Sequence, residues 1–165
     1  MPNLLVLALS ALIPMIMGFI WYNPKVFGTA WMNSIGKTAE QLRGGNMAVI
    51  FIASYVLSFF LAFALQFIVI HQFHIYSTLA NEPGMRDGTG DAFKHYTDFM
   101  TTYGHRFRTF KHGAFHGGLA GVTIALPIVA TSAMFEGRGF KNIAINAGYW
   151  IVCFMLMGAV ICHFS

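Results

Sequence analysis

The sequence is poor in charge. Only 10% of its 165 residues are Asp, Glu, Lys or Arg, against about 25% in an ordinary soluble domain. These residues are confined to three windows, Lys25–Arg43, Glu82–Lys111 and Glu136–Lys141. A charge at the centre of a membrane-spanning helix costs about 2.5–3.5 kcal/mol, so a bilayer requires this segregation and a soluble protein does not. The distribution excludes a soluble globular domain and indicates an integral membrane protein.

Other signals are missing as well. The chain has two cysteines, Cys153 and Cys162, which stand about 13.5 Å apart along one predicted helix and therefore cannot pair with each other. It has no phosphate-binding glycine loop, no Gly-x-Ser-x-Gly motif, no inverted repeat and no carboxylate in the middle of an apolar stretch. These absences weaken the case for an enzyme or a proton-coupled carrier. The net charge is +4. The basic residues flank apolar stretches, as is usual beside membrane helices, and therefore do not indicate nucleic-acid binding.

Four charge-free stretches are long enough to cross a bilayer, which takes about 20 apolar residues. They predict an all-α, polytopic membrane protein with spans at about 3–22, 47–70, 113–135 and 143–164 in a single membrane domain, 1–165. The first stretch has no basic start and no small-residue cleavage site, so it is interpreted as a retained helix and not a signal peptide. Trp21, Tyr22 and Trp31 are predicted to anchor its end at the interface.

The second connection carries a further helical pattern. Apolar residues recur every three or four positions on a helix predicted at about 91–111; they are Phe93, Tyr96, Met100, Tyr103, Phe107 and Phe110. This amphipathic helix either packs on the bundle or the interface, or binds a partner or a second copy. Gly104 either breaks the helix or lies within one that continues into the third span.

Small residues follow one another at four-residue spacing in the third span: Gly113, Gly117, Gly121 and Ala125. Such rows let membrane helices approach closely. The partner is either another helix of this chain or a neighbouring copy. Pro14 and Pro127 are expected to disturb the first and third helices, because proline removes a backbone hydrogen bond.

All histidines fall on one membrane face if four spans cross in turn. His112 and His116 are one helical turn apart, a spacing that suits two ligands of one ion, and His71 or His163 could complete a metal or haem site. Acidic residues of the same face could serve as hydrogen-bond partners of these ligands: Asp87, Asp91 and Asp98. Alternatively, the histidines mark the interface, His116 makes an interior polar contact, or the imidazoles transfer protons.

A second polar set is predicted at the opposite face. Glu136 ends the third helix, where the negative end of the helix dipole disfavours a carboxylate, and Arg138 and Lys141 are expected to compensate its charge. Asn146 and Tyr149 share a face of the fourth helix and are expected to meet the polar side of the third. With His116, these residues are predicted to make intramembrane polar contacts. Lys and Arg are balanced five against five between the two faces, so the positive-inside rule assigns no orientation.

Four segments together resemble a family of small bacterial membrane proteins known as a numbered domain of unknown function. They are "GFIWYNPKVFGTAWM", "FKHGAFHG", "MFEGRGFKNIAINAGYWIV" and "LMGAVI". The resemblance covers most of the chain except about 77–110. It implies four helices and a bacterial inner-membrane location, and it implies no activity.

The sequence supports two functional hypotheses, and a third has less support. The first is a structural or accessory membrane component that associates with itself or with a larger complex in the lipid bilayer. The alternative is a histidine-based metal or haem site that serves redox chemistry or proton transfer. A small channel or carrier has the least support in the sequence.

Overall fold

Four apolar helical segments dominate the computed structural model, which describes residues 3–42 and 45–165. Each is long and apolar enough to cross a membrane: Leu4–Trp21, Met47–Val69, Phe110–Phe135 and Phe140–Phe164. We call them spans 1 to 4. No strand occurs in the described ranges, so the predicted all-α class with four spans is confirmed.

The complete set of described helices is larger than the four spans, because prolines and π-turns divide two spans and short helices occupy the connections. The α-helices are α1 (Leu4–Ser10), α2 (Ile13–Trp21), α3 (Thr29–Ile35), α4 (Ala39–Leu42), α5 (Met47–Val69), α6 (Gln72–Leu79), α7 (Asp91–Tyr103), α8 (Phe110–Ala120), α9 (Leu126–Phe135) and α10 (Phe140–Phe164). Two π-helical turns, Pro24–Gly28 and Gly121–Ala125, complete the list.

Spans 3 and 4 each begin three residues earlier than predicted. Span 3 starts at Phe110, where the Thr109 side chain accepts a hydrogen bond from the His112 backbone N–H. Span 4 starts at Phe140, directly after Gly139, whose backbone is extended. The start of span 3 follows from this side-chain cap, which the length of an apolar run does not indicate.

The prolines interrupt spans 1 and 3 as expected. Span 1 breaks into α1 and α2 at Ala11 and Leu12, just before Pro14. In span 3 a π-helical turn precedes Pro127. π-Helical turns widen the backbone hydrogen-bond ladder by one residue and so accommodate such a disturbance.

The helix predicted for 91–111 is shorter than expected. It ends at Tyr103, and Gly104 begins an irregular segment that reaches Thr109. Phe107 lies in this segment with φ = 65°, a left-handed conformation that no α-helix contains. Phe107 and Phe110 therefore do not belong to the predicted stripe. What remains, α7, packs beside α6, with the Tyr76 and Tyr96 ring centroids 5.7 Å apart.

Span 4 is the centre of the bundle and packs most closely against span 3. Its most apolar window is 56% buried, against 17–28% for the other three spans. A Cβ at Gly113 or Gly117 would overlap a backbone carbonyl of span 4, that of Gly158 or Phe154. The glycine row is therefore in contact with a helix of the same chain, and Ala125 is buried in line with it.

Candidate metal centre and the opposite polar network

Three histidines from two ends of the chain's second connection meet at one membrane face. His71 lies between span 2 and α6, just after the second span ends at Val69. His112 and His116 occupy the first two turns of span 3. The second and third spans run in opposite directions, so the end of one lies beside the start of the next, and the topology brings the three rings together.

The geometry of the three rings approaches that of a metal site. The Nε2 atoms of His71 and His112 are 3.0 Å apart and share a hydrogen bond. One ligand atom from each of His71, His112 and His116 lies within 4.8 Å of the others. Two imidazole ligands of tetrahedral zinc are about 3.3 Å apart, given Zn–N distances of about 2.0–2.1 Å. The three ligand atoms are therefore near the spacing that coordination of one ion requires.

Aromatic rings fix the orientation of two of these histidines. The Phe107 ring stacks on His112, with centroids 5.1 Å apart and an interplanar angle of 20°. The Phe115 ring meets His116 edge-on at 5.3 Å. The Phe107 that stacks on His112 has a left-handed backbone, a conformation that costs free energy in a non-glycine residue and is often found at functional sites.

The predicted carboxylate partners are not beside the rings. In residues 3–42 and 45–165, the one ion pair within 4.0 Å joins Arg138 to Glu136, so no described carboxylate reaches a histidine nitrogen. Asp87 instead accepts hydrogen bonds from the backbone and side chain of Thr89. The three imidazoles thus form an uncharged ligand set, and a bound divalent ion would keep its full charge.

His163 is not part of the three-histidine group. Its ring stacks on Phe110, with centroids 4.2 Å apart. The sequence predicted that His71 or His163 would be the third ligand. In the structure His71 belongs to the group and His163 does not. A haem between His71 and His112 would require the two rings to separate, because their Nε2 atoms are in direct hydrogen-bond contact. The arrangement suits a single ion.

The segment before span 3 is held in place by Arg108. Its guanidinium donates hydrogen bonds to the backbone carbonyls of Cys162 and Ser165 at the end of span 4. Burial lowers the pKa of Arg108 from its usual value, yet guanidinium stays protonated in proteins. The irregular segment that carries Phe107 is thereby tied to the helix beside the histidines.

The polar residues of span 4 face span 1, not span 3 as predicted. The Tyr22 hydroxyl donates to Asn146 Oδ1 at 2.8 Å, and the Tyr149 hydroxyl donates to the Pro14 carbonyl at 2.7 Å. The Trp21 indole N–H donates to the Ile145 carbonyl at 3.1 Å. The face of span 3 that meets span 4 carries the glycine row, and the close contact there leaves no room for polar side chains between the two spans.

This network continues into the first connection. Asn146 Nδ2 donates to Asn142 Oδ1 and Asn142 Nδ2 donates to Ser34 Oγ, both at 3.0 Å. Arg138 pairs with Glu136 at 3.5 Å and donates to the Ile35 carbonyl at 3.2 Å. Sequence reasoning missed Asn142 and Ser34. The four-residue spacing of Asn142 and Asn146 was the available signal, because it places both on one helix face.

The predicted anchors also make protein contacts. Trp31 packs edge-on against Tyr22, with ring centroids 5.3 Å apart, and Tyr22 lies 5.2 Å from Tyr149. Burial raises the pKa of Tyr22 from 10.0 to about 12. The aromatic exit of span 1 is therefore part of the bundle interface, and its role as a membrane anchor stays a prediction.

These features define a class: a polytopic α-helical membrane protein with four apolar spans, a three-histidine group at one face and an aromatic–amide network at the other. Within that class, the family described as "Protein of unknown function (DUF1761)" matches residues 5–162, and the chain belongs to it. No curated protein and no solved structure matches the chain. The resemblance drawn from the sequence motifs is thus confirmed at the level of the family.

Proposed function

We propose that the protein binds one divalent transition-metal ion, with zinc as the first candidate, through His71, His112 and His116. The observation that supports this is the convergence of three imidazoles whose ligand atoms lie within 4.8 Å of one another. Neutral imidazole is a preferred ligand of zinc, copper and nickel. Of the hypotheses drawn from the sequence, this is the one to which the geometry adds an observation.

Three protein ligands leave a coordination position free. Structural zinc sites are closed by four protein ligands, whereas sites that exchange or use a ligand keep one position for water or solute. His71 is exposed and the other two rings are half-buried, so the free position faces the aqueous side of the interface. The ion would also link spans 2 and 3 across the long connection between them. We propose no catalytic step.

The accessory or self-associating role stays a prediction. Its main sequence argument was the glycine row, and that row contacts span 4 of the same chain. The channel or carrier hypothesis also stays a prediction. A bacterial inner-membrane location and a single membrane domain are proposed on the family resemblance and the four apolar spans.

The experiment is a zinc titration of protein purified without a histidine tag. Wild-type protein is expected to bind one zinc ion per chain, measured by elemental analysis and calorimetry. His71→Ala should weaken binding by at least about 100-fold, since loss of a supporting partner alone costs 10–100-fold. The double variant H112A/H116A should bind none.

The matched control is His163→Ala. His163 is an exposed histidine at the same face but outside the group, so its removal should leave zinc affinity unchanged. Equal losses in His71→Ala and His163→Ala would indicate nonspecific surface binding. A wild-type protein that binds no zinc, copper or nickel would refute the proposal.

A further inference from the structure

A second candidate site lies in the half of the bundle away from the histidines. A cavity of about 770 Å³ lies between spans 1, 2 and 4, and binding pockets for small molecules typically measure about 300–1,000 Å³. Phe19 and Leu57 line it and are 65% and 68% exposed. Because these side chains lie within spans, the cavity opens sideways to the lipid, and a ligand would enter from the bilayer.

The cavity is lined without charge. Among the described residues that surround it there is no Asp, Glu, Lys, Arg or His. A phospholipid phosphate or a fatty-acid carboxylate would therefore meet no cation inside, and burying either anion unpaired would be costly. The lining favours an uncharged molecule.

Hydroxyl groups nevertheless reach the cavity at the depth of the hydrocarbon. Ser54 and Ser58 line it from span 2, and Ser58 is only 4% exposed. Ser58 stands eleven positions after Met47, or about 16.5 Å along the helix, near the middle of a core about 30 Å thick. Water is absent there, so these donors need an acceptor from the protein or from a ligand.

The tyrosine hydroxyls at the cavity are already engaged. Tyr22 donates to Asn146 and Tyr149 donates to the Pro14 carbonyl, so the side-chain donors left for a ligand among the described lining residues are Ser54 and Ser58, together with the Asn23 amide and the Trp150 indole. Rings form much of the wall: Phe19 and Phe51 are 5.6 Å apart, and Tyr22 and Tyr149 are 5.2 Å apart. Aromatic walls favour a flat head group, because rings prefer offset or edge-on contact with other planar groups.

We propose that this cavity binds a quinone-class lipid. Its flat, uncharged head would lie against the aromatic wall, with a carbonyl oxygen accepting a hydrogen bond from Ser58 or Ser54. Its apolar tail would leave between Phe19 and Leu57 into the bilayer. The proposal concerns binding alone, and it is independent of the metal centre.

The test uses tryptophan fluorescence, because Trp150, one of the three tryptophans of the chain, borders the cavity. Decylubiquinone titrated into the full-length protein in detergent should quench the emission with a saturable component of one site per chain. Gly18→Leu should remove that component, because a Cβ at Gly18 meets only the Tyr149 hydroxyl at 3.7 Å and a larger side chain would fill the cavity. Ser58→Ala should weaken binding about tenfold, the upper range for one lost hydrogen bond.

Ala53→Leu is the matched control. It adds similar bulk to span 2 at an exposed position outside the cavity, and it should bind as the wild type does. His71→Ala should also bind normally, which separates this site from the metal site. A purely linear quench in the wild type, or equal saturable quenching in Gly18→Leu and Ala53→Leu, would overturn the proposal. Displacement of the quinone by an anionic phospholipid at equal concentration would overturn it too.

Discussion

His71 and His112 are 41 residues apart in the sequence, yet their Nε2 atoms share a hydrogen bond of 3.0 Å. The contact joins the end of span 2 to the start of span 3, across α6, α7 and the irregular segment after α7. It selects His71, and not His163, as the companion of the His112–His116 pair. Coordination of one ion by all three histidines depends on this contact.

The aromatic stack on His112 yields the first prediction. Phe107→Ala removes the ring that packs on His112 and should lower zinc affinity about tenfold, within the range for residues that orient metal ligands. Phe110→Ala is the matched control, because its ring stacks on His163 instead. Calorimetric titration of both variants is the measurement. Equal zinc affinity in the two variants would contradict a positioning role for Phe107.

The second prediction concerns the contact between spans 3 and 4. Gly117→Ala places a methyl group on the Phe154 backbone carbonyl, whereas Gly118→Ala meets the flexible Met155 side chain. Overpacking of this kind costs about 1–3 kcal/mol, and backbone yields less than a side chain. We expect Gly117→Ala to lower the free energy of unfolding by more than Gly118→Ala does, measured by SDS unfolding in mixed micelles. The reverse order would contradict the close contact between Gly117 and the backbone of span 4.

Tyr22 gives a prediction about pH. Burial raises its pKa from 10.0 to about 12, so the folded state holds the phenolic proton more tightly than the unfolded state does. The contribution of Tyr22 to stability is therefore complete below pH 10 and is lost as pH rises from about 10 to 12. In Tyr22→Phe this part of the pH dependence should be missing, and the loss of the hydrogen bond to Asn146 should cost about 1 kcal/mol at pH 8.

The measurement is the unfolding midpoint of wild-type and Tyr22→Phe protein between pH 8 and 12. The difference between the two curves cancels the titration of the other groups. A difference that stays constant over this range would contradict the raised pKa.

The pair at the end of span 3 supports a fourth prediction. Glu136 is largely exposed and pairs with Arg138, so Glu136→Gln should change stability by less than about 1 kcal/mol. Arg138→Gln should cost more, because the guanidinium also donates to the Ile35 carbonyl. Thermal unfolding of the two variants compares them directly. An equal effect would mean that the contact with the first connection contributes nothing.

Sequence patterns predicted the spans well because a bilayer constrains length, charge and polarity at once. In the first connection, the three-residue spacing of Thr38 and Gln41 predicts a capping box, which their hydrogen bonds of 2.9 and 3.4 Å confirm. The sequence also predicts that Gly44 and Gly45 stop this short helix, and Gly44 lies outside the described residues. The predicted helix 91–111 was too long because its apolar periodicity continues through Phe107, whose backbone is left-handed. Periodicity records which residues are apolar and not which conformation they adopt.

The candidate sites were predicted in part. Spacing within a helix identified His112 and His116, and alternation of the spans placed His71 and His163 at the same face. The choice between the last two depends on how spans 2, 3 and 4 pack, which no local pattern records. The same holds for Asn146 and Tyr149, which were assigned to the wrong neighbour. Because the glycine row of span 3 occupies one face of span 4, these polar residues lie on the face that meets span 1.

The close contact of spans 3 and 4 has a consequence for genetic assays of helix association. Within the whole protein, Gly113 and Gly117 are covered by the backbone of span 4 and are not available to a second copy. A reporter fusion that carries span 3 alone would expose the same stripe, and small residues at this spacing drive helix pairing in membranes. Such a fusion would give a strong dimerisation signal. That signal would arise because span 4 is absent, and it would not show that the protein itself dimerises.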